Sequence, residues 1–475
     1  MQYFLGIDCG LTAVKAAIVD ERGRLLSEHA AATPLQGLYM NGKVLRDRVF
    51  ECVREAIRKS GVNSARISAV GLSGHGNGLY ALDENDDVVI AVSSMFDLNQ
   101  AAVNEFQNSK DYQRFIQITN QFCWGGQPMQ ILKDLKARDI CQYNRIRSIL
   151  FCKDYIRFCL TGEKVTDYSD FAAGALGEGE LGAELCEMLG ISEMVRAMPV
   201  SVRCDEIAGR VTAGAAAASG LSVGTPVVGG GIDLYVCMTG VGITAPGCCS
   251  VTAGTWGVTA AFSDDIANLS QLTQCCRFLP DISQAAIVSG PTSCVNLEWF
   301  MHSIRPELTF EEANEIALSY APDEVKMLYL PYLYRDMAHP AISGAFRDLS
   351  PSDTWREMLR AVFEGVCFAH RLQLDRLRAA GVQIDRVRMS GGATQSKAWR
   401  RIMCDILGVP LEIPSERQAG LVGASMMAAV GTGIYTDLEE AARSMTSINE
   451  TCIPENTKAY EEKYQQFLRM VGETL

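Results

Sequence analysis

Positive charge is in deficit along this chain: 43 Lys and Arg face 56 Asp and Glu, for a formal charge of −13. That balance argues against a nucleic-acid partner, which requires a basic face. It leaves small phosphorylated ligands open, since these need only a local cluster of N–H groups. No stretch approaches 18 uninterrupted apolar residues, so no membrane span is expected. The N-terminus enters a strand at once (Tyr3-Phe-Leu-Gly-Ile) without a basic n-region or cleavage site, and no signal peptide is expected. Seventeen cysteines are scattered, and none forms a C-x-x-C pair. Without a disulfide framework or zinc spacing, they read as small hydrophobes of a protein in a reducing cytoplasm.

What is present is ordinary globular material, 48% apolar and 21% charged, too long for a single core and so expected to form two or three domains. Residues 3–31 read as an antiparallel meander of three strands, 3–8, 13–20 and 25–31. Its first turn, Asp8-Cys9-Gly10-Leu11-Thr12, sets a carboxylate, a glycine and a hydroxyl at one hairpin tip, with Lys15 three residues on. Such a tip offers N–H groups to phosphate and a carboxylate to hydrated Mg²⁺, although Asp and Gly are also plain turn formers. Leu45 to Lys59 has helical spacing. The strand Ile67 to Leu72 then ends in Ser73-Gly74-His75-Gly76-Asn77-Gly78, where interleaved glycines mark a polar-ligand loop, and a hairpin from Leu79 to Val92 follows.

Residues 101–185 read as mostly helical. Trp124, in Phe122-Cys123-Trp124-Gly125-Gly126, suits either stacking on a sugar ring or a core. Near mid-chain the apolar run Thr225-Pro-Val-Val leads into Gly229-Gly230-Gly231-Ile232-Asp233. A carboxylate at such a strand-to-turn edge can take a proton from a substrate hydroxyl, or it can cap the helix begun by Leu234.

Gly247 to Val258 then starts a second meander, with the tip Ala253-Gly254-Thr255-Trp256-Gly257. The two halves therefore look like a diverged duplication. Ser350, Pro351 and Asp353 predict the start of a long helix ending at Gly381, with His370 on its buried stripe. The strand Ile384 to Met389, followed by Ser390-Gly391-Gly392-Ala393 and the helix opened by Ser396, has a geometry for receiving a nucleotide at helix N–H groups. Gly420-Leu-Val-Gly423-Ala424-Ser425 opens a small-residue helix suited to close packing.

Taken together, Gly6-Ile-Asp8-Cys-Gly10, Ser73 to Gly78, Gly229 to Asp233, Gly254-Thr255-Trp256 and Gly391-Gly392-Ala393 with Gly423-Ala424 resemble the FGGY carbohydrate kinases of the actin-like ATPase superfamily. The likeness runs through essentially the whole chain. Within the family, Asp8-Cys9-Gly10, Gly254-Thr255-Trp256 and Pro291 to Phe300 look most like kinases of L-xylulose and related ketoses. The resemblance implies an α/β fold of two ribonuclease-H-like domains, with mixed sheets flanked by helices and the active site in the cleft. Residues 1–244 would bind sugar and residues 245–475 would bind ATP.

By that match Asp233 is the general base, and Asp8 lies near Mg²⁺ and the phosphates together with Gly10, Thr12 and Lys15. Gly254 and Thr255 hold the phosphate chain, and Gly391, Gly392 and Ser396 line the adenosine pocket. His75, Gly76, Asn77, Asp97, Trp124 and Asp233 face the sugar, and the metal falls to Asp8 and Asp233. The implied partners are a sugar and ATP, with no nucleic acid and no membrane; a homodimer is compatible with them.

The chain also departs from the family pattern. Leu11 stands where relatives have Thr, and the sugar-facing Trp-x-Asp-x-Arg reads Met95-Phe96-Asp97-Leu98-Asn99. These changes keep open another sugar or polyol (D-xylulose, ribulose, erythritol, glycerol) or a catalytically weak sugar-binding relative.

Overall fold

The N-terminal meander forms as its apolar runs and turn residues predict. In the computed structural model Tyr3–Cys9, Ala13–Asp20 and Leu25–Ala32 pair antiparallel in turn. Ile67–Gly74 joins the other side of the first strand in parallel, and Pro226–Val228 joins Ile67–Gly74 in parallel. The structure describes all residues except 178, 255, 278–283, 323, 335–341, 416–417 and 473–475. It divides into two units. One consists mainly of Met1–Thr244 and Gln418–Thr446, the other of Ala245–Cys275, Ser283–Arg417 and Ser447–Leu475.

The second unit repeats the first unit's strand order. Gly247–Ala253 pairs antiparallel with Gly257–Ser263, which pairs antiparallel with Gln284–Gly290. On the other side Ile384–Ser390 and Leu411–Pro414 follow in parallel. Both sheets thus run third, second, first, fourth, fifth strand, the ribonuclease-H-like order, and the duplication expected from the two hairpin tips is present. What separates the fourth strand from the fifth differs. In the second unit it is the short 3-10 turn Gly392–Gln395 and one α-helix, Lys397–Leu407; in the first it is some 150 residues, including the whole of the expected helical stretch 101–185. Part of that insertion is a small separate sheet. The hairpin Leu79–Leu82/Val88–Val92 is extended there by Tyr39–Met40 and Ser148–Leu150 rather than joining the meander.

The small-residue helix, Ala419–Gly431, packs onto the first unit's sheet, although the sequence reading placed it with the second half. Its backbone lies against the strands. A Cβ on Gly6 would come within 2.3 Å of the Leu421 carbonyl oxygen, and one on Gly71 within 1.8 Å of that of Ala424. Gly423 makes the same approach to the helix Asp233–Gly240, where a Cβ would meet the Val236 oxygen at 2.0 Å. Backbones this close admit no side chain between them, which accounts for the run of small residues.

The long C-terminal helix begins later than Ser350. It spans Trp355–Ala379, capped by Thr354, whose hydroxyl pairs reciprocally with Glu357. Ser350 and Asp353 instead close a turn, Ser350 N donating to Asp353 Oδ2 at 2.7 Å. Two capping boxes four residues apart competed, and the one leading directly into the apolar stripe won. His370 lies in the core as expected, with Nε2 3.0 Å from Ser293 Oγ, and burial lowers its pKa to about 4. All 17 cysteines are free thiols, and among the described residues no helix is long and apolar enough to cross a membrane.

Candidate active site

Three glycines in a row are what the first unit needs to bring Asp233 to its sheet edge. A Cβ at Gly229 would sit 2.3 Å from the Arg203 carbonyl oxygen, and one at Gly230, whose φ is +71°, 2.4 Å from that of Leu72. Only glycine tolerates both the crowding and the left-handed backbone. Gly231 and Ile232 then pair with Ser73 and Gly74, so the Gly-rich turn and the His75 loop leave the sheet side by side. Asp233 is the first residue of its helix, not the cap. The cap position is Ile232, which has no side-chain acceptor to offer. Asp233 Oδ1 accepts from its neighbour Leu234 N at 2.7 Å.

Asp8 is the penultimate residue of the first strand of the same sheet, opposite Ser73 on one side and Lys15 on the other. Burial raises the pKa of Asp8, with the Ser73 side chain and Lys15 working against the rise. Asp233 is pushed up to about 6, first by burial and then by the charge of Asp8, with His75 and the Leu234 amide opposing. Two half-buried carboxylates that raise one another's cost of ionisation constitute a demand for positive charge.

Around them lies polar surface without protein partners. His75 Nδ1, Asn77 Oδ1 and Asn99 Oδ1 are buried and have no hydrogen-bond partner among the described residues. His75 Nε2 lies 3.2 Å from the Tyr80 hydroxyl, and Asn99 Nδ2 donates to the Gly125 carbonyl at 3.1 Å, so in both residues only one polar end is satisfied. Asn77 holds a left-handed φ of 59°, a conformation asparagine accepts more readily than most residues. Unpaired buried polar atoms are rare because each costs about 1–3 kcal/mol; several at one site call for a hydroxyl-rich ligand.

Gly76 places the loop against Ile232 and Asp170, the Oδ1 of the latter lying 3.7 Å from where a Cβ would be. Asp170 was not picked out from the sequence. Neither carboxylate oxygen has a well-aimed hydrogen bond, although Lys153 Nζ lies 2.9 Å from Oδ2. Burial, with Asp167 and Asp154 close by, raises its pKa despite Lys153. The signal that would have found it is Lys153-Asp154 followed by Thr166-Asp167-Tyr168-Ser169-Asp170, a density of charge improbable in a helix pair that is otherwise core.

Other expected residues fall differently. Asp97 is exposed, while Asn99, standing where the family pattern has arginine, is buried. Trp124 is half-buried, which leaves a face available. Thr12 is exposed on the hairpin tip, and Gly10 closes that tip by donating to Ala13 O at 3.1 Å. Lys15 Nζ donates to Gln418 Oε1 at 3.0 Å. Among the described residues no three carboxylate, imidazole or thiol groups converge as a metal cage.

In the second unit a cavity of about 830 Å³ opens beside the Gly391–Gly392 turn, a volume suited to a nucleotide-sized ligand. Gly254, Gly392 and Ser396 line it, with Leu297, Phe310 and Leu318 supplying apolar wall and Asn314 and Glu315 polar groups. Gly391 shapes the turn (φ +92°). The Ser396 hydroxyl is already engaged, accepting from Trp399 N at 3.0 Å as the helix cap and bonding Asn314. Thr255 lies outside the described residues.

The two sequence halves match known domains in the same order. Residues 3–242 match the N-terminal domain of the FGGY family of carbohydrate kinases, and residues 281–432 the C-terminal domain. The chain belongs to that family. It is 31% identical to the L-xylulose/3-keto-L-gulonate kinase of Escherichia coli (strain K12), over 99% of this chain and 97% of that one. It is likewise 31% identical to a probable L-xylulose kinase of Pasteurella multocida (strain Pm70), over 99% and 98%. The crystal structure of xylulose kinase from Rhodospirillum rubrum has the same fold, with a TM-score of 0.90 at 24% identity, over 99% of this chain and 98% of that one. As an FGGY kinase, the protein is a phosphotransferase that uses ATP and has a sugar hydroxyl as acceptor.

Proposed function

We propose that this FGGY kinase phosphorylates a ketopentose, L-xylulose or a related ketose being favoured, with Asp233 as the general base. The observation that carries this reading is the half-buried Asp233 carboxylate, delivered by the glycine turn beside the loop that holds the unpaired polar atoms of His75 and Asn77. Two curated relatives whose names carry L-xylulose support the substrate class. Asp233 would accept the proton of the attacking hydroxyl, and His75, Gly76, Asn77, Asn99 and the free face of Trp124 would orient the sugar. In the second unit the cavity at Gly254, Gly392 and Ser396 suits ATP. Residues 1–244 would serve the sugar and 245–475 the nucleotide, with Gln418–Thr446 lending structural support to the first.

Asp8 and Asp233 fit a Mg²⁺ ion, which commonly uses one or two carboxylates and fills its remaining positions with water and substrate phosphate; their mutual repulsion is the fitting observation. Bound there, Mg²⁺ would neutralise phosphate charge. Lys15, beside Asp8, would add to the same neutralisation.

An ADP-release assay over L-xylulose, D-xylulose, ribulose, erythritol and glycerol tests the reading. Sugar-dependent release, greatest with a ketopentose, is expected. Absence of turnover with every sugar, while a sugar still raises the melting temperature, would reduce the protein to a sugar binder.

Because the base must be ionised, kcat/KM should fall about tenfold per pH unit below the pKa of Asp233, which is about 6 without metal and which a Mg²⁺ ion at the same carboxylate would lower. An acid limb that persists unchanged in Asp233→Asn would assign it to another group. For stability the sign is opposite. The folded state holds this proton more tightly than the unfolded chain, so the contribution is present below pH about 4 and lost as pH rises through about 6.

A further inference from the structure

A buried ionic network grips both ends of the glycine turn. Arg157 donates Nη1 to the Gly229 carbonyl, at the start of the turn. At its end Ile232 N, the last amide before Asp233, donates to Ser169 Oγ at 2.9 Å. Ser169 Oγ in turn donates to Asp167 Oδ2 at 2.6 Å. Asp167 Oδ1 lies 2.8 Å from Lys153 Nζ, Lys153 lies 2.6 Å from Asp154 Oδ1, and the same oxygen is 2.9 Å from Arg157 Nη2. The path closes on itself, and the side chains of Lys153, Asp154, Arg157, Asp167 and Ser169 are fully buried.

Three glycines leave a backbone with many accessible conformations, and Ile232 cannot cap the helix that follows. Strand pairing of Gly231 and Ile232 with Ser73 and Gly74, and the Gly229 and Gly230 amides donating to Glu206 and Cys204, hold the turn's backbone on one side; the network holds its Gly229 carbonyl and its Ile232 amide. A serine supplies what an apolar residue could not: its hydroxyl donates a hydrogen bond to Asp167 and accepts one from the Ile232 amide, transmitting the position of a locked carboxylate to the backbone of the turn. Polar networks satisfied in this way rigidify their surroundings.

We propose that Ser169 and Arg157 are positioning residues for Asp233, clamping the two ends of its glycine turn; this rests on the reading of Asp233 as the base. Neither touches substrate in this account. A base displaced by about 1 Å costs on the order of 10²-fold in rate, so Ser169→Ala should lower kcat about 10- to 100-fold while KM for sugar and ATP stays within about threefold.

The deciding measurement is the same substitution in the Asp233→Asn background. If Ser169 acts by aiming the carboxylate, it has little left to aim, and residual turnover should change by less than about twofold. A merely structural role would give the same fold-loss in both backgrounds. Should Ser169→Ala fold poorly, Arg157→Lys keeps the buried charge but loses the fork that reaches Asp154 and Gly229 together, and the same pattern is expected. Equal losses in the two backgrounds, or an unchanged kcat in the single variants, would overturn the clamp. Full turnover in Asp233→Asn alone would instead overturn the base assignment, and with it the object being positioned.

Discussion

Asp233→Asn is expected to cut turnover by roughly 10²-fold or more while sugar and ATP still bind, because it removes the proton acceptor and keeps the shape. Asparagine can present its carbonyl oxygen to Leu234 N, the one hydrogen bond described for the Asp233 side chain, so the turn has no local reason to move. What changes is charge. Asp8 loses a repelling neighbour, so its own ionisation becomes easier and the fold should be no less stable.

The magnitude follows from the environment. A carboxyl with a pKa of about 6 is still mostly ionised at neutral pH and is a better base than one at the usual value of about 4. Burial therefore strengthens the base, while a cation bound at the pair would lower the pKa again and keep the carboxylate ionised. ADP release with the best ketose, read together with calorimetric sugar binding, checks the expectation. Turnover within tenfold of the parent would mean that the hydroxyl loses its proton elsewhere, and loss of sugar binding in step with turnover would make Asp233 a sugar-binding group instead.

The frame around this residue was largely legible in the chain, because it is written in local terms. Short apolar runs bounded by turn residues mark each meander, and the glycine tips and the Gly-Gly-Gly-Ile-Asp turn show where backbone must bend or crowd. The repeated strand, tip, strand pattern at Asp8–Gly10 and at Gly254 announced two sheets of equal order. What was missed depends on long-range packing. Ala419–Gly431 reads as a helix wanting a close neighbour, and nothing local names strands 3–9 and 67–74, more than 340 residues earlier, as that neighbour. Asp97, the survivor of a sugar-facing motif, is exposed, whereas Asn99 two residues on is buried, a difference that the loop sequence does not signal. Asp170 and Ser169 were passed over because their importance lies in partners on the Lys153 helix and the glycine turn, and a charged residue in sequence reads as surface until its counter-ions are known.

That same cluster carries the largest stability effect expected in the first unit. Lys153→Met should cost about 3–5 kcal/mol, the scale for stripping one partner from a buried ion pair. Lys153 Nζ lies within 2.9 Å of Asp154, Asp167 and Asp170, all with no solvent exposure. Burial opposes the charge of the ammonium, but these three carboxylates prevail and hold its pKa above the ordinary lysine value. In the parent, two cations (Lys153, Arg157) face three carboxylates, for a net charge of −1; the variant leaves one cation against three, or −2.

A deficit of that kind is relieved by protonation. The orphaned carboxylates would hold protons more tightly folded than unfolded, so the penalty should be smaller at pH 5 than at pH 8. Adding Asp170→Asn returns the balance to one cation against two carboxylates, again −1, and should recover part of the loss even though it deletes a second native group. Urea unfolding of parent, single and double variants at both pH values tests this. A single-variant loss below about 1 kcal/mol, or a double variant weaker than the single, would mean that the three carboxylates do not depend on Lys153. Because Asp167 holds Ser169 and Ser169 holds the Ile232 amide, whatever the cluster loses in order should reach Asp233 as well. Turnover of the folded Lys153→Met protein should therefore fall with its stability, and Asp170→Asn should restore both together.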